Sequence, residues 1–354
     1  MSSTKVIKIN PEKPEEKLLL QAADVIRDGG LVIVPTETVY GIAANNLNQK
    51  TLERLSKIKA RPANKPYSLH IGEQEKVVEL AKDIPTAAFK LMDKFWPGPL
   101  TVILRAVDNT PIGIRLPDNN ILRRIITLAD VPIVCPSANI SGKPAPATFS
   151  QALKDFNGQV DLAIDAGDTH LGVESTVVDL TVDPPQVLRE GALKKEGVLS
   201  VAKTKSVLFV CTGNSCRSVM AEALLKKKLK DTSRRDIEVS SAGIMMADGL
   251  GASYETIELL RREGMDVTGH VSRRLTIDKL NKADLILVME KIHEDRIIQM
   301  APWVAKRLFL LKEFARVNDN NLNIPDPIGK SAEFYALTLG IIRDAVDKVC
   351  QLII

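Results

Sequence analysis

Two cysteines and an arginine stand in the run Val210-Cys211-Thr212-Gly213-Asn214-Ser215-Cys216-Arg217-Ser218, a Cys-x5-Arg loop between an apolar β-rich run and an amphipathic helical one. A loop that joins a strand end to a helix start gathers backbone N–H groups around a space suited to a tetrahedral oxyanion. Gly213 is expected to make the tight turn, and Thr212, Asn214, Ser215 and Cys216 to complete the cradle. The same positive field favours the thiolate of Cys211, set for in-line attack on phosphorus, while Arg217 clamps two equatorial oxygens. Ser218 is expected to hydrogen-bond the thiolate and ease its departure in a second step. A leaving group needs a proton, and Asn323-Ile324-Pro325-Asp326-Pro327 offers Asp326 on a rigid loop as general acid. The plain alternative for Cys211 is a buried cysteine at a strand end.

Polar residues also gather in the first half. Pro35-Thr36-Glu37-Thr38-Val39-Tyr40-Gly41 interrupts an apolar run, and Lys59-Ala60-Arg61-Pro62-Ala63-Asn64-Lys65-Pro66 sets three cations beside two prolines. A charge run of this size is usually solvated surface, but cations fixed by proline after a helix can serve a polyphosphate. Pro136-Ser137-Ala138-Asn139-Ile140-Ser141-Gly142 is a third cluster, whose residue types also suit a helix cap and turn. A GxxxxGK[ST] loop is absent, which excludes a Walker-type nucleotide site.

These groups need a frame. Runs 31–41, 67–72, 100–105, 131–136, 162–167 and 175–181 read as strands by β-branched content and length. Helices fit 14–30, 51–60, 73–81, 85–95, 119–128 and 148–156. Short strands in succession near 100–115 and 162–190 favour a mixed sheet. The pattern lapses over 191–205, GALKKEGVLSVAKTK, where the domain boundary is expected. Beyond it, strands at 206–211, 237–241, 284–289 and 306–311 alternate with helices at 218–230, 252–263, 292–299 and 331–350, which predicts a doubly wound parallel sheet. The fold class is α/β throughout, with domains at 1–200 and 205–354.

With 354 residues, 45% hydrophobic and 26% charged, the chain has the composition of a folded globular protein and room for two domains. No apolar run is long enough for a membrane span, and the first residues lack a signal-peptide core, so a cytoplasmic location is expected. Cys135, Cys211, Cys216 and Cys350 form no disulfide framework or metal-ligand spacing, and no metal site is expected. The net charge of +4 splits into +1 for residues 1–204 and +3 for the rest, so neither half carries a strong nucleic-acid patch.

The second half, over roughly 205–354, resembles the low-molecular-weight protein phosphatase family. The order strand, Cys-x5-Arg, helix and a later Asp-Pro loop carries the likeness, with Ser241-Ala242-Gly243, Gly269-His270-Val271-Ser272 and Asp284-Leu285-Ile286-Leu287-Val288-Met289. The resemblance implies a phosphocysteine on Cys211 and a phosphorylated protein as substrate. Tyrosine-directed members have aromatics that sandwich a phenol ring, and no such clamp is evident in Ile328 or in Met245-Met246-Ala247. The small hydroxyl residue Ser215 is similar to the arginine-directed branch and favours phosphoarginine over phosphotyrosine. Serine stands there in arsenate reductases too, but their relay needs two downstream cysteines, and residues 217–349 contain none.

The first half, over roughly 5–200, resembles the threonylcarbamoyl-AMP synthase (YrdC-like) family in its short form, with its twisted mixed sheet. The proline-threonine, lysine-arginine-proline and Ser137-Ala138-Asn139 segments match, as do Gly113-Ile114-Arg115-Leu116-Pro117, Glu174-Ser175-Thr176 and Arg189-Glu190-Gly191. Longer members carry a different C-terminal domain, and here the phosphatase stands in its place. The resemblance implies condensation of L-threonine, bicarbonate and ATP to threonylcarbamoyl-AMP and pyrophosphate, for tRNA modification with downstream modification proteins as possible partners. By the same likeness, Lys59 and Arg61 would hold polyphosphate and carbamate, Arg115 the threonine carboxylate or a phosphate, and Ser137 and Asn139 phosphate. Thr36 and His70 would border the amino acid, and Ser175 and Arg189 the nucleotide end. Mg2+ would arrive on the triphosphate. The alternative is that this half is a non-catalytic RNA- or nucleotide-binding module and only the phosphatase is active.

Overall fold

In the computed structural model, which describes residues 3–62, 66–245 and 249–353, the chain divides into two compact units, Met1–Ala202 and Lys203–Ile354. Ala63, Asn64, Lys65, Met246 and Ala247, quoted above in their motifs, lie outside the described residues.

The first unit is built on eleven strands: β1 (Lys5–Lys8), β2 (Val32–Val34), β3 (Gly41–Asn45), β4 (Leu69–His70), β5 (Ala81–Lys82), β6 (Leu100–Ala106), β7 (Pro111–Arg115), β8 (Ile133–Val134), β9 (Leu162–Asp165), β10 (Thr176–Asp179) and β11 (Gln186–Arg189). They run in the order β1-β9-β2-β3-β8-β4-β7-β6-β10-β11, with β5 on β6. The sheet combines parallel pairs (β1/β9, β2/β9, β4/β7, β6/β10) with antiparallel ones (β2/β3, β3/β8, β4/β8, β6/β7, β10/β11, β5/β6), so it is mixed, as expected. Its two faces are both covered. Val32 and Val34 pack with Leu19, Ile26, Leu122 and Ile125 of helices Glu16–Arg27 and Asn120–Ala129, whereas Ile33 between them packs with Leu55, Ala152 and Phe156 on the other side. This two-residue alternation makes 31–34 apolar at every position.

Residues 31–41 do not form the single strand expected from their β-branched content. Pro35 has no N–H for a ladder, and the Thr36 hydroxyl takes the amides of Thr38 and Val39 at 3.0 and 3.1 Å while donating to Val39 O at 2.7 Å. The turn that results separates β2 from its antiparallel partner β3 and places residues 36–40 at the strand ends. The stretch 191–205, within which the two units divide, contains the helix Lys195–Lys203, whose Val198 and Ala202 are buried against Leu91, Trp96 and Leu100. Its polar residues form an exposed helix face.

The second unit has four parallel strands, β12 (Lys205–Cys211), β13 (Ile237–Gly243), β14 (Leu285–Val288) and β15 (Leu308–Leu310), in the order β13-β12-β14-β15. Val207, Phe209 and Cys211 face the core formed with helices Arg217–Asp231 and Ala332–Ile353, and Leu208 and Val210 face the opposite core. This is a doubly wound sheet, as expected. Since β13 and β14 lie on opposite sides of β12, the chain leaves the end of β12 at a topological switch point, where such sheets open a crevice. Cys211 is the last residue of β12. The helix Ile277–Lys282, capped by Thr276, was not foreseen. No helix of the described residues is long and apolar enough to cross a membrane.

Candidate active sites

Cys211 is 3% exposed, and its Sγ lies 3.0 Å from Ser218 Oγ at the start of the Arg217–Asp231 helix. The hydrogen bonds around it fix a direction. The Arg273 amide donates to Asn214 Oδ1 at 2.9 Å, which orients the Asn214 amide so that Nδ2 donates to Ser218 Oγ (2.9 Å) and Ser241 Oγ (2.7 Å). Ser241 donates in turn to the buried carboxylate of Glu222. Ser218 Oγ accepts from Asn214 and keeps its own hydrogen for Cys211 Sγ when the sulfur is a thiolate, an arrangement that suits negative charge on sulfur. The tight turn falls at Asn214, with φ +52°, and not at Gly213, whose φ is not positive. The glycine that the loop requires is Gly243 on β13: a Cβ there would meet Thr212 O at 2.8 Å and Asn214 N at 3.0 Å. Cys216 is a buried packing residue with Sγ 3.3 Å from Ser253 Oγ and 3.6 Å from the Tyr335 hydroxyl, which burial pushes up to about 12. Ser215 is tied to the same region, as its carbonyl accepts the Ser253 amide at 3.0 Å.

Arg217 is 1% exposed and lies between two carboxylates: Nη1 pairs with Glu290 and also donates to Ile324 O at 2.9 Å, while Nη2 pairs with Asp326 and reaches Thr212 Oγ1 at 3.2 Å. Asp326 thus lies beside the cradle, with Oδ1 accepting the Ile328 amide at 3.1 Å. Glu290 caps the helix Lys291–Met300 and was not foreseen, nor was His293 three residues on. The Glu290 amide donates to His293 Nδ1 at 3.1 Å, so the proton of the neutral ring is on Nε2 and is donated to Thr212 Oγ1 at 3.0 Å. Burial, and then the Arg217 charge, lower the His293 pKa to about 4. The only sequence signal for the pair was a Glu-x-x-His step directly after an apolar strand.

The His293 shift gives a pH dependence whose sign is fixed. The folded state holds the ring neutral, so as pH falls below about 6.5 the unfolded chain takes up a proton first, and stability is lost progressively down to about pH 4. Between pH 7 and pH 5 the wild type should lose about 2 kcal/mol from this group, at ~1.4 kcal/mol per pKa unit. In denaturant unfolding of the second unit, the stability advantage of wild type over His293→Gln should shrink by that amount across this interval. An advantage unchanged with pH would contradict the assignment.

In the first unit, Lys59 ends helix Gln49–Ile58 and is 2% exposed; its ammonium bonds Ser137 O and, at 2.6 Å, Asn139 O. Ser137 Oγ donates to Asn139 Oδ1 at 2.6 Å, and the Ser141 amide returns to Lys59 O at 2.8 Å. Lys59, Ser137 and Asn139 are thus one cluster. Arg61 lies over the Tyr67 ring at 4.4 Å with Nη2 on Pro66 O at 2.6 Å, and its partial burial disfavours its charge. Arg115 is buried and engaged: Nη2 bonds Glu37 Oε1 at 2.6 Å and Thr38 Oγ1 at 2.8 Å. His70 sits beside it in register on β4, and burial and the Arg115 charge hold its pKa near about 3. Thr36 forms the turn described above. Ser175 and Arg189 form a separate cluster, with Arg189 Nη2 on Ser175 Oγ at 3.1 Å, Thr101 Oγ1 at 2.9 Å from that oxygen, and Nη1 on Glu174.

A family model described as telomere recombination (Sua5/yciO/yrdC) matches residues 24–191, and one described as low molecular weight phosphotyrosine protein phosphatase matches 206–353. The putative threonylcarbamoyl-AMP synthase of Methanocaldococcus jannaschii is 38% identical over 53% of this chain and 94% of its own length. The chain belongs to both families. It joins a threonylcarbamoyl-AMP synthase-like unit to a low-molecular-weight phosphatase unit. The threonylcarbamoyl-AMP synthase of Pyrococcus abyssi is 43% identical over 54% of this chain, and the chain spans 58% of that relative's length. The structure of P. abyssi Sua5 complexed with L-threonine aligns at 28% identity and TM-score 0.54, covering 87% of this chain and 99% of that one. The Lys59 ammonium is tied to the Ser137–Asn139 turn, and Arg61 follows the same helix.

Proposed function

We propose that the chain is a bifunctional enzyme. Its first unit condenses L-threonine, bicarbonate and ATP to threonylcarbamoyl-AMP, and its second unit hydrolyses phosphorylated protein side chains through a phosphocysteine. The observation that supports the first reaction best is the Lys59–Ser137–Asn139 cluster, with Arg61 two residues further along the chain. Positive charge held at the end of helix Gln49–Ile58 neutralises the triphosphate while the carbamate oxygen attacks the α-phosphorus and pyrophosphate leaves. Arg115 and His70 border the amino acid, and Ser175 and Arg189 the nucleotide. Mg2+ enters with the nucleotide.

For the second reaction the supporting observation is the 3.0 Å contact between Ser218 Oγ and Cys211 Sγ at the end of β12, with Arg217 and Asp326 beside the same loop. Cys211 Sγ attacks phosphorus, Arg217 and the loop amides hold the equatorial oxygens, and Asp326 protonates the leaving group. Water then cleaves the S–P bond as Ser218 stabilises the departing thiolate.

Phosphoarginine is the favoured substrate, because Ser215 leaves room beside the cradle where a bulky aliphatic residue would not. Ser215→Ile should lower phosphoarginine turnover at least about tenfold and raise the aryl phosphate to phosphoarginine ratio. An unchanged preference in paired assays of the two substrates would refute this branch of the reading.

A further inference from the structure

Glu37 is 7% exposed and meets Arg115 through one oxygen only; its Oε2 is buried with no partner among the described residues. A second buried atom without a partner, His70 Nδ1, belongs to the residue beside Arg115 in the β4/β7 register. Leaving a buried acceptor unsatisfied is costly, and a ligand that completes the bond removes that cost. Glu37, Arg115 and Lys59 are all buried, and Arg115 joins Glu37 to the turn through Thr38 as well. The imidazole of His70 is held neutral there and is a poor proton acceptor.

We propose that Glu37 Oε2 is the base that deprotonates the ammonium group of the amino acid substrate. This rests on the synthase reading above. Threonine arrives as an ammonium ion with no lone pair for attack. Glu37 takes one proton from it; the freed nitrogen forms a bond to the carbon of bicarbonate as the C–OH bond breaks. The departing hydroxide leaves as water with a second nitrogen proton, giving the carbamate, and Glu37 returns its proton to solvent. The ion pair with Arg115 through Oε1 keeps the carboxylate fixed while Oε2 acts.

The test is steady-state pyrophosphate release by the full chain between pH 6.5 and 9.5, for wild type, Glu37→Gln and Thr38→Val. Glu37→Gln should fall about 100-fold at pH 7 and recover about tenfold per pH unit, because free amine then comes from solution. Thr38→Val removes another Arg115 contact and should lower the rate by one factor at all pH values. A Glu37→Gln profile parallel to wild type, or a full rate at pH 7, would overturn the proposal. If Glu37→Gln does not fold, Glu37→Asp serves instead, and it must show partial recovery with pH; a parallel profile again overturns it. Failure of the synthase reading itself is distinct, as wild type would then show no threonine- and bicarbonate-dependent release at any pH.

Discussion

Cys211→Ser removes phosphatase turnover by a factor on the order of 10⁴ or more while leaving threonine-dependent pyrophosphate release unchanged. The expected loss is large because the reaction read for this site needs a thiolate at Sγ, which the Ser218 hydroxyl 3.0 Å away, held by Asn214 and the Arg273 amide, can meet with its hydrogen. A serine hydroxyl fits the same space but stays protonated at neutral pH, so the nucleophile is lost without loss of fold. The readout is hydrolysis of a chromogenic aryl phosphate and of phosphoarginine, with thermal unfolding as control. Residual turnover within about tenfold of wild type would mean that Cys211 is the buried strand-end cysteine of the plain alternative.

The second large effect belongs to Lys59. Its ammonium bonds two carbonyls of the Ser137–Asn139 turn from a site 2% exposed, so Lys59→Met leaves both acceptors unsatisfied and removes the fixed charge. The first unit should lose roughly 2–4 kcal/mol of stability, and pyrophosphate release should fall by at least about 100-fold. Arg61→Ala should cost comparable activity with less stability, since Arg61 is only half-buried and stacks on Tyr67. Activity in Lys59→Met within a few-fold of wild type would make Lys59 a structural residue and move the polyphosphate site elsewhere.

The part of the phosphatase site that is contiguous in sequence was legible. Cys211, Arg217 and Ser218 span one loop and helix start, and the Asp-Pro step marked Asp326. Glu290 and His293 were not legible, because they reach Arg217 and Thr212 through strand pairing: β14 runs parallel to β12 with Val288 opposite Val210, which brings the next helix start beside the cradle. Composition also misled at single positions. Glycine at 213 suggested the turn that Asn214 makes, while the close approach that forbids a side chain is at Gly243, thirty residues away in a different strand. In the first unit the apolar run 31–41 concealed a hydroxyl-capped turn, because Val39 and Tyr40 are as buried as the strand residues before Pro35. That turn is what sets Glu37 against Arg115, a pairing no local pattern encodes. The helix 195–203 escaped notice because only Val198 and Ala202 of its face are buried.

That one chain carries two working enzymes is tested most directly by pyrophosphate release from ATP by the full-length wild type, with L-threonine and bicarbonate each supplied or withheld, in a preparation whose aryl phosphatase activity is measured in parallel. Release that requires both co-substrates, alongside phosphatase turnover, is the result expected. Release that is absent, or indifferent to threonine and bicarbonate, would contradict the account and leave Cys211 as the only catalytic centre.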